Sequence, residues 1–299
     1  MTRDYEEYLK DDNLHINWYP GHMKKTKEMV QNNLKLVDVV IELLDARIPL
    51  SSKNPEIDKL AQNKPRVVVL NKSDLSDKAK LNKWISYYQS KGIKAIPVDT
   101  LKGNGVNKIV EECKNATKEK MDALKEKGRK ERAIRVMIVG VPNVGKSSLI
   151  NKLTGRKSTQ TGDRPGVTKG KQWVRLKGNL ELLDTPGILW PKFEDQKIAL
   201  NLAFTRAIKD EILDIDTLGL KFIEKMSEIE PEKLKARYKL DSLGEEPLET
   251  MEMIGRKRGF ILGRNELDYT RIAKTVLNEF REGKLGQITL EVPEDIEEA

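Results

Sequence analysis

The chain has 299 residues, room for roughly two domains, and carries 55 Lys plus Arg against 47 Asp plus Glu, a formal net charge of +8. At 38% apolar and 34% charged residues it can bury a sizeable core, unlike a disordered chain, and its one cysteine, Cys113, excludes a disulfide framework or a zinc site built on several thiolates. The excess of base with only 5% aromatics points to a polyanionic partner such as RNA; no apolar run approaches the ~20 residues of a membrane span, and the polar, acidic start MTRDYEEYLKDDN lacks the form of a signal peptide, so a cytoplasmic location is expected.

Residues Val37 to Asp45 (VDVVIELLD), Arg66 to Asn71 (RVVVLN), Ile93 to Val98 (IKAIPV), Ile134 to Gly140 (IRVMIVG) and Leu180 to Asp184 (LELLD) are short, almost continuously apolar runs, as strands covered on both faces require. Helical patterns such as Asp77 to Lys91 lie between several of them. That alternation predicts a mostly parallel sheet with helices on both faces, an α/β core. Gln172 to Leu176 (QWVRL) precedes the last strand across the short turn Lys177 to Asn179, the position of a hairpin partner at the sheet edge. Asp45 and Arg47, at the end of the first strand, read as an internal ion pair or a loop clamp. The charged, aromatic-free stretch Asn115 to Ala133 reads as a helix that frays into a linker, and Cys113, in the helical run before it, as a small core residue. Beyond Trp190 the apolar spacing turns helical, through Ile198, Leu202 and Ala203, then Leu218, Phe222, Ile223 and Met226, then Ile272, Val276, Leu277 and Phe280. The expected division is therefore an α/β domain with an N-terminal extension over 1–194, a smaller all-helical domain over 195–286, and an acidic segment 287–299 read as a solvated tail.

Gly140 to Ser147 (GVPNVGKS) follows a strand and runs into the apolar helix SSLINKL, the setting in which G-x-x-x-x-G-K-S binds phosphate. Glycines let successive backbone N–H groups curl around the anion, the helix N-terminus adds partial positive charge, Lys146 reaches the β and γ oxygens, and the Ser147 hydroxyl can bind Mg²⁺. About 40 residues on, Asp184 to Gly187 (DTPG) ends a strand, where the carboxylate can hold the Mg²⁺ shell and the Gly187 N–H can face the γ-phosphate. Between them, in TGDRPGVTKG, Thr168 has the hydroxyl for a second Mg²⁺ contact; a plain surface loop is the other reading. Asn71 to Asp74 (NKSD) ends the strand RVVVLN, and a carboxylate there accepts from guanine N1–H and its exocyclic amine, donors that adenine lacks. Asp99 and Thr100, after the next strand, lie where a backbone contact to the base belongs.

Motif order sets this chain apart from ordinary GTPases, in which the guanine-reading segment follows the P-loop and DxxG. Here Asn71 precedes Gly140 by about 70 residues, so the nucleotide domain is circularly permuted. The chain resembles the circularly permuted GTPases, and within them the YlqF type, the ribosome biogenesis GTPase A family of bacterial large-subunit maturation factors. The resemblance runs through INWYPGHMKKTK, LLDARIPLSSKNP, VLNKSDL, GVPNVGKSSLIN, PGVTKGKQWVRL, DTPGILWPKFED and the ending GKLGQITLE, nearly the whole chain. It implies GTP hydrolysis, slow alone and stimulated by the ribosomal subunit, with Mg²⁺ and possible K⁺ as cofactors. The partners it implies are GTP or GDP, the large-subunit precursor and its rRNA, with no membrane and a monomer in solution. A nucleotide-gated RNA-binding switch in which hydrolysis is incidental is the alternative.

The nucleotide-binding set is then Asn71, Lys72, Ser73, Asp74, Asp99, Thr100, Asn143, Val144, Gly145, Lys146, Ser147, Ser148 and Gly187, with Ser147, Thr168 and Asp184 for Mg²⁺ and His22, Lys146 and Thr168 as the catalytic set. Many GTPases place a water-orienting Gln directly after DxxG; here that residue is Ile188, which cannot polarise water. The resemblance points to His22 instead, since an imidazole accepts a proton near neutral pH, while a lone His in a basic segment equally suits an RNA contact. Asn143 matches the position at which related GTPases hold K⁺; a loop Asn without that role is the other reading. Basic residues cluster at Lys24, Lys25 and Lys27, at Lys125 to Arg132, and at Arg256, Lys257 and Arg258 with Arg264. The last group, with glycines that let backbone approach RNA, is the RNA-binding set, with Phe260 either on a base or in the core.

Overall fold

The computed structural model describes residues 23–61, 64–154, 173–183 and 195–296. They group into two compact units, one holding the described residues up to 183 together with 291–296, the other holding 195–290.

In the first unit, β1 (Val39–Asp45), β2 (Arg66–Asn71), β3 (Lys94–Val98), β4 (Ile134–Val139), β5 (Trp173–Leu176) and β6 (Leu180–Leu183) form one sheet in the order β3-β2-β1-β4-β6-β5. All neighbours pair in parallel except β5, which runs antiparallel to β6. The turn between that pair holds Gly178 and Asn179 at φ 73° and 63°, the left-handed backbone that a tight hairpin needs. Helices α1 (Met23–Leu34), α2 (Pro55–Leu60), α3 (Lys78–Ser90), α4 (Val106–Glu126) and α5 (Lys146–Thr154) complete the unit. Asp77 caps α3 by accepting from the Lys80 N–H at 2.9 Å, and the helix buries Leu81, Trp84 and Tyr88 against Leu44, Val68 and Leu70 of the central strands. Cys113 is fully buried in α4 and its thiol is pushed up to about 12 by burial, so it is a core residue and no nucleophile.

Of two charged segments, one follows the reading of the sequence and one departs from it. The stretch Asn115 to Ala133 is helical to Glu126 and non-helical beyond it, the helix running into a linker that its sequence predicts. Lys120 within the helix and Arg132 beyond its end both bind the buried Asp38 carboxylate, at 2.6 and 2.7 Å. Burial raises the Asp38 carboxyl, but hydrogen bonds from Arg132, Lys120 and the Arg135 N–H outweigh it and hold it well below the usual carboxylate range. The acidic tail departs from its reading as a solvated segment. Ile288, Thr289, Leu290 and Glu291 are buried, and the Glu291 carboxylate accepts from the Leu50 N–H at 2.7 Å, from the Ser51 N–H at 3.1 Å and from the Ser51 hydroxyl. Trp84 donates to the Glu291 carbonyl at 3.1 Å, Lys83 pairs with Glu294, and Asp295 accepts from the Val292 N–H. Charge counting misleads here because an acid with several convergent donors can be buried.

Glu42, in the middle of β1, is also buried, with no hydrogen-bond donor to either oxygen among the described residues. Burial pushes its carboxyl up to about 7, and Arg66, whose Nη1 lies 3.3 Å away but also serves Asp58, only partly opposes this. Unfolded, the group ionises near 4.5, so the native state keeps a proton that the unfolded chain releases as pH rises from 4.5 to 7. Its contribution is favourable below that window and is lost through it. Glu42→Gln, neutral throughout, should therefore gain about 3 kcal/mol on wild type between acidic buffer and pH 8, read from denaturant unfolding across pH. A stability difference that stays constant across that range would remove Glu42 as the source.

The second unit contains α6 (Gln196–Phe204), α7 (Ile215–Ile229), α8 (Pro231–Tyr238), α9 (Pro247–Arg258) and α10 (Tyr269–Arg281). Asp195, Asp214 and Asp268 cap α6, α7 and α10 through backbone N–H groups, and Pro opens α8 and α9. The core is centred on Phe204, Phe222 and Phe280, edge-on and tilted to one another with ring centroids 5.1 and 4.8 Å apart. Gly219 lets α7 meet α10 at Ala273, whose Cβ lies 2.4 Å from where a side chain at 219 would begin. No helix among the described residues is long and apolar enough to cross a membrane.

Candidate nucleotide-binding site

Parallel pairing brings the C-terminal ends of β1 to β4 to one edge of the sheet, the edge at which open α/β sheets bind ligands. The loop after β4 turns through Asn143 at φ 57° and Gly145 at φ 106° into α5, which opens at Lys146. The first N–H groups of that helix, including those of Ser147 and Ser148, have no carbonyl of their own helix to bind, the arrangement that suits a helix N-terminus to an anion.

Asn71, the last residue of β2, joins three loops. Its amide donates to the Val144 carbonyl at 2.6 Å, and its carbonyl accepts from the Thr100 N–H at 3.3 Å. A Cβ at position 145 would lie 2.2 Å from the same amide nitrogen, so only glycine fits. Lys72, at φ 59°, reaches the phosphate loop as well: its ammonium donates to the Asn143 carbonyl and to Asp45 Oδ2, both at 2.9 Å. Asp45 in turn takes Arg47 in a two-pronged pair at 2.9 and 2.8 Å. Burial raises the Asp45 carboxyl, yet Arg47 and Lys72 together hold it far below the usual range, whereas burial brings the Lys72 ammonium down against the pull of Asp45.

The loop carrying Asp74 is braced by the Ser73 N–H on the Val98 carbonyl at 3.1 Å and by the Ser76 hydroxyl on the Ser73 carbonyl at 3.0 Å. Asp99 and Thr100, where a backbone contact to the base is expected, also brace the site. Both are buried; Asp99 Oδ1 accepts from the Leu101 and Lys102 N–H groups, and the Thr100 N–H is already donated to Asn71. They hold the joint. His22, Thr168, Asp184 and Gly187 lie outside the described residues.

The basic set divides. Arg256 and Lys257 are exposed in the last turn of α9, and Arg264 is exposed at the tip of a turn closed by the Ile261–Leu267 bridge. Arg258, though also exposed, is held by partners within the unit, 3.2 Å from Glu279 and over the Tyr238 ring, beside Arg237, which binds the same carboxylate. Phe260 is neither in the core nor free, because Arg271 lies 4.5 Å over its ring. Sequence reasoning missed that Asp45 serves Lys72 as well as Arg47; a carboxylate two residues before an arginine at the end of a buried strand was the available signal.

Residues 135–248 match the family model described as 50S ribosome-binding GTPase. Ribosome biogenesis GTPase A of Bacillus cereus is 50% identical over 283 residues, 95% of this chain and 96% of its own length, and that of Thermotoga maritima is 32% identical over 94% and 96%. The solved structure of GNP-bound YlqF from T. maritima aligns at a TM-score of 0.62 with 28% identity, over 90% of this chain and 99% of that one. Its GDP-bound counterpart aligns at 0.64 with 27% identity, over 89% and 100%. Near-complete coverage at this identity, on a sheet whose base and phosphate loops are tied together by Asn71 and Lys72, places the chain in the ribosome biogenesis GTPase A family, as a GTP hydrolase of ribosome biogenesis from a class of enzymes that generally uses Mg²⁺.

Proposed function

We propose that the protein is a late assembly checkpoint for the large ribosomal subunit, a cytoplasmic monomer that binds rRNA of the precursor particle with GTP in place and leaves it after hydrolysis. Asp74 reads guanine, the N–H groups from Gly145 to Ser148 hold the phosphates with Lys146, and Ser147, Thr168 and Asp184 are the residues that would hold Mg²⁺, which supplies positive charge to the γ-phosphate when bound. His22 orients the attacking water that Ile188 cannot, and the Asn143 side chain is the K⁺ ligand, its carbonyl being held by Lys72. The observation that carries the rRNA part is the exposed basic surface of Arg256 and Lys257 at the end of α9 and Arg264 in the turn after it, with the exposed apolar side chains of Ile261 and Leu262 in that turn. The description of the matching family as ribosome-binding supports the same particle.

Turnover measured with and without large ribosomal subunits tests the checkpoint; stimulation of about tenfold or more is expected. Association with those particles should weaken with salt as phosphates shed counterions, and replacing Arg256, Lys257 and Arg264 by Ala should flatten the log–log slope by roughly one unit for each phosphate that is no longer neutralised. Turnover indifferent to the subunit would favour the binding switch, and an unaltered slope would move the rRNA contact to the run from Lys125 to Arg132.

A further inference from the structure

We infer that Asp45, which belongs to no nucleotide-binding motif, is a positioning residue for GTP and GDP: by holding the Lys72 ammonium against the Asn143 carbonyl it keeps the phosphate loop and the base-reading loop in register. The inference rests on the nucleotide reading of those two loops.

Asp45 is fixed from every side. The residue is 2% exposed. Arg47 Nε and the Arg47 N–H both donate to Oδ1, at 2.9 and 3.1 Å, and Arg47 Nη2 donates to Oδ2 at 2.8 Å, which sets the plane of the carboxylate. The backbone behind it is equally constrained. The Asp45 N–H donates to the Ser52 hydroxyl at 3.0 Å, the Ile48 N–H to the Asp45 carbonyl at 3.0 Å, and the Ser52 N–H to the Ile48 carbonyl at 2.9 Å. At the far side of the same loop, Glu291 holds the N–H groups of Leu50 and Ser51.

A lysine side chain is long and loses much rotamer freedom when it is held in one place. Asp45 Oδ2, at 2.9 Å, is the fixed anion that localises this one. Once localised, the ammonium grips the Asn143 carbonyl, and Asn71 grips the next carbonyl, that of Val144, at 2.6 Å. Two successive phosphate-loop carbonyls are thus drawn to one side. Peptide planarity then turns the N–H groups of Val144 and Gly145, which share those peptide units, away from the carbonyls. Without the carboxylate, Arg47 and Lys72 would be two cations facing each other with nothing between them, and repulsion would drive the flexible Lys72 off Asn143.

A purely structural ion pair and a positioning residue predict different double-mutant cycles. Asp45→Asn is combined with Arg47→Leu, so that no buried guanidinium is left unpaired, and the pair is introduced into the full chain with Lys72 intact and with Lys72→Met. GDP affinity is measured by titration calorimetry, with thermal unfolding in parallel. A decrease of about tenfold in GDP affinity is expected when Lys72 is present, shrinking to less than about twofold in the Lys72→Met background, because interacting positions are strongly non-additive. Equal decreases in both backgrounds, or none in the first, would overturn the inference while leaving the nucleotide reading intact. No effect of Lys72→Met on GDP affinity would likewise overturn the inference, whereas a wild-type chain that binds no GDP would overturn the nucleotide reading itself. If the paired variant lacks a cooperative unfolding transition, the same cycle with Asp45→Glu decides, since the longer arm keeps the charge but cannot serve Arg47 and Lys72 from one position.

Discussion

Gly145→Ala is expected to lower affinity for GTP and GDP alike by about a hundredfold or more and to reduce the stability of the nucleotide-free protein. The backbone at this position has φ 106°, a conformation that side-chain-bearing residues adopt only at a cost of about 1 to 3 kcal/mol. The added methyl would also lie 2.2 Å from Asn71 Nδ2, inside any tolerable contact. Relief requires the Asn71 amide to move, and that amide holds the Val144 carbonyl at 2.6 Å and the Thr100 N–H at 3.3 Å. Each buried hydrogen bond broken without replacement costs about 1 to 3 kcal/mol. A total of about 3 kcal/mol falling on the bound geometry is a hundredfold in affinity. Titration calorimetry with GDP and thermal unfolding without it read the two effects separately. An affinity within a few-fold of wild type would mean that the loop is not a phosphate cradle.

The contrast between what was and was not legible follows from the range over which each interaction acts. The runs RVVVLN and IRVMIVG announce themselves as buried strands because burial on both faces leaves an uninterrupted apolar string, and they occupy Arg66–Asn71 and Ile134–Val139. The hairpin of β5 and β6 is equally local, since Gly178 and Asn179 carry the turn. The ties that assemble the site are not local. Asn71 meets Val144, Lys72 meets Asn143, and Thr100 meets Asn71 only after the sheet has placed their strands side by side. Motif matching names most of these residues without revealing that Thr100 braces Asn71. Charge runs were the weakest guide. Arg132, Arg258 and Glu291 each sit in a stretch that reads as solvated or RNA-facing, and each is turned to a partner distant in the chain: Asp38, Glu279, and the Leu50–Ser51 backbone. Composition records how many charges a segment has, and burial depends on where their partners fold.

Asp74→Asn is expected to shift base preference from guanine toward xanthine by on the order of 10⁴, the scale on which a site built around specific hydrogen bonds rejects a ligand lacking them. Guanine presents two donors, N1–H and the exocyclic amine, to the two oxygens of a carboxylate. Xanthine carries an oxygen in place of that amine, so a carboxylate at 74 would face a lone pair, whereas an asparagine amide donates to the new oxygen and still accepts from N1–H. The exchange leaves in place three hydrogen bonds that brace the loop: Ser73 N–H to the Val98 carbonyl at 3.1 Å, Leu75 N–H to the Lys72 carbonyl at 2.9 Å, and the Ser76 hydroxyl to the Ser73 carbonyl at 3.0 Å. The loop proposed to hold the phosphates, around Gly145, is a separate segment whose sequence the exchange leaves unchanged. The variant should therefore lose GTP affinity and gain XTP affinity at nearly constant stability, the opposite of Gly145→Ala, which should weaken both nucleotides together. Competition binding with GTP and XTP against a labelled GDP analogue, run on both variants, separates the two cases. Should Asp74→Asn reduce affinity for XTP as much as for GTP, the residue would be bracing the loop and not reading the base, and guanine selectivity would have to come from a backbone contact elsewhere in the site.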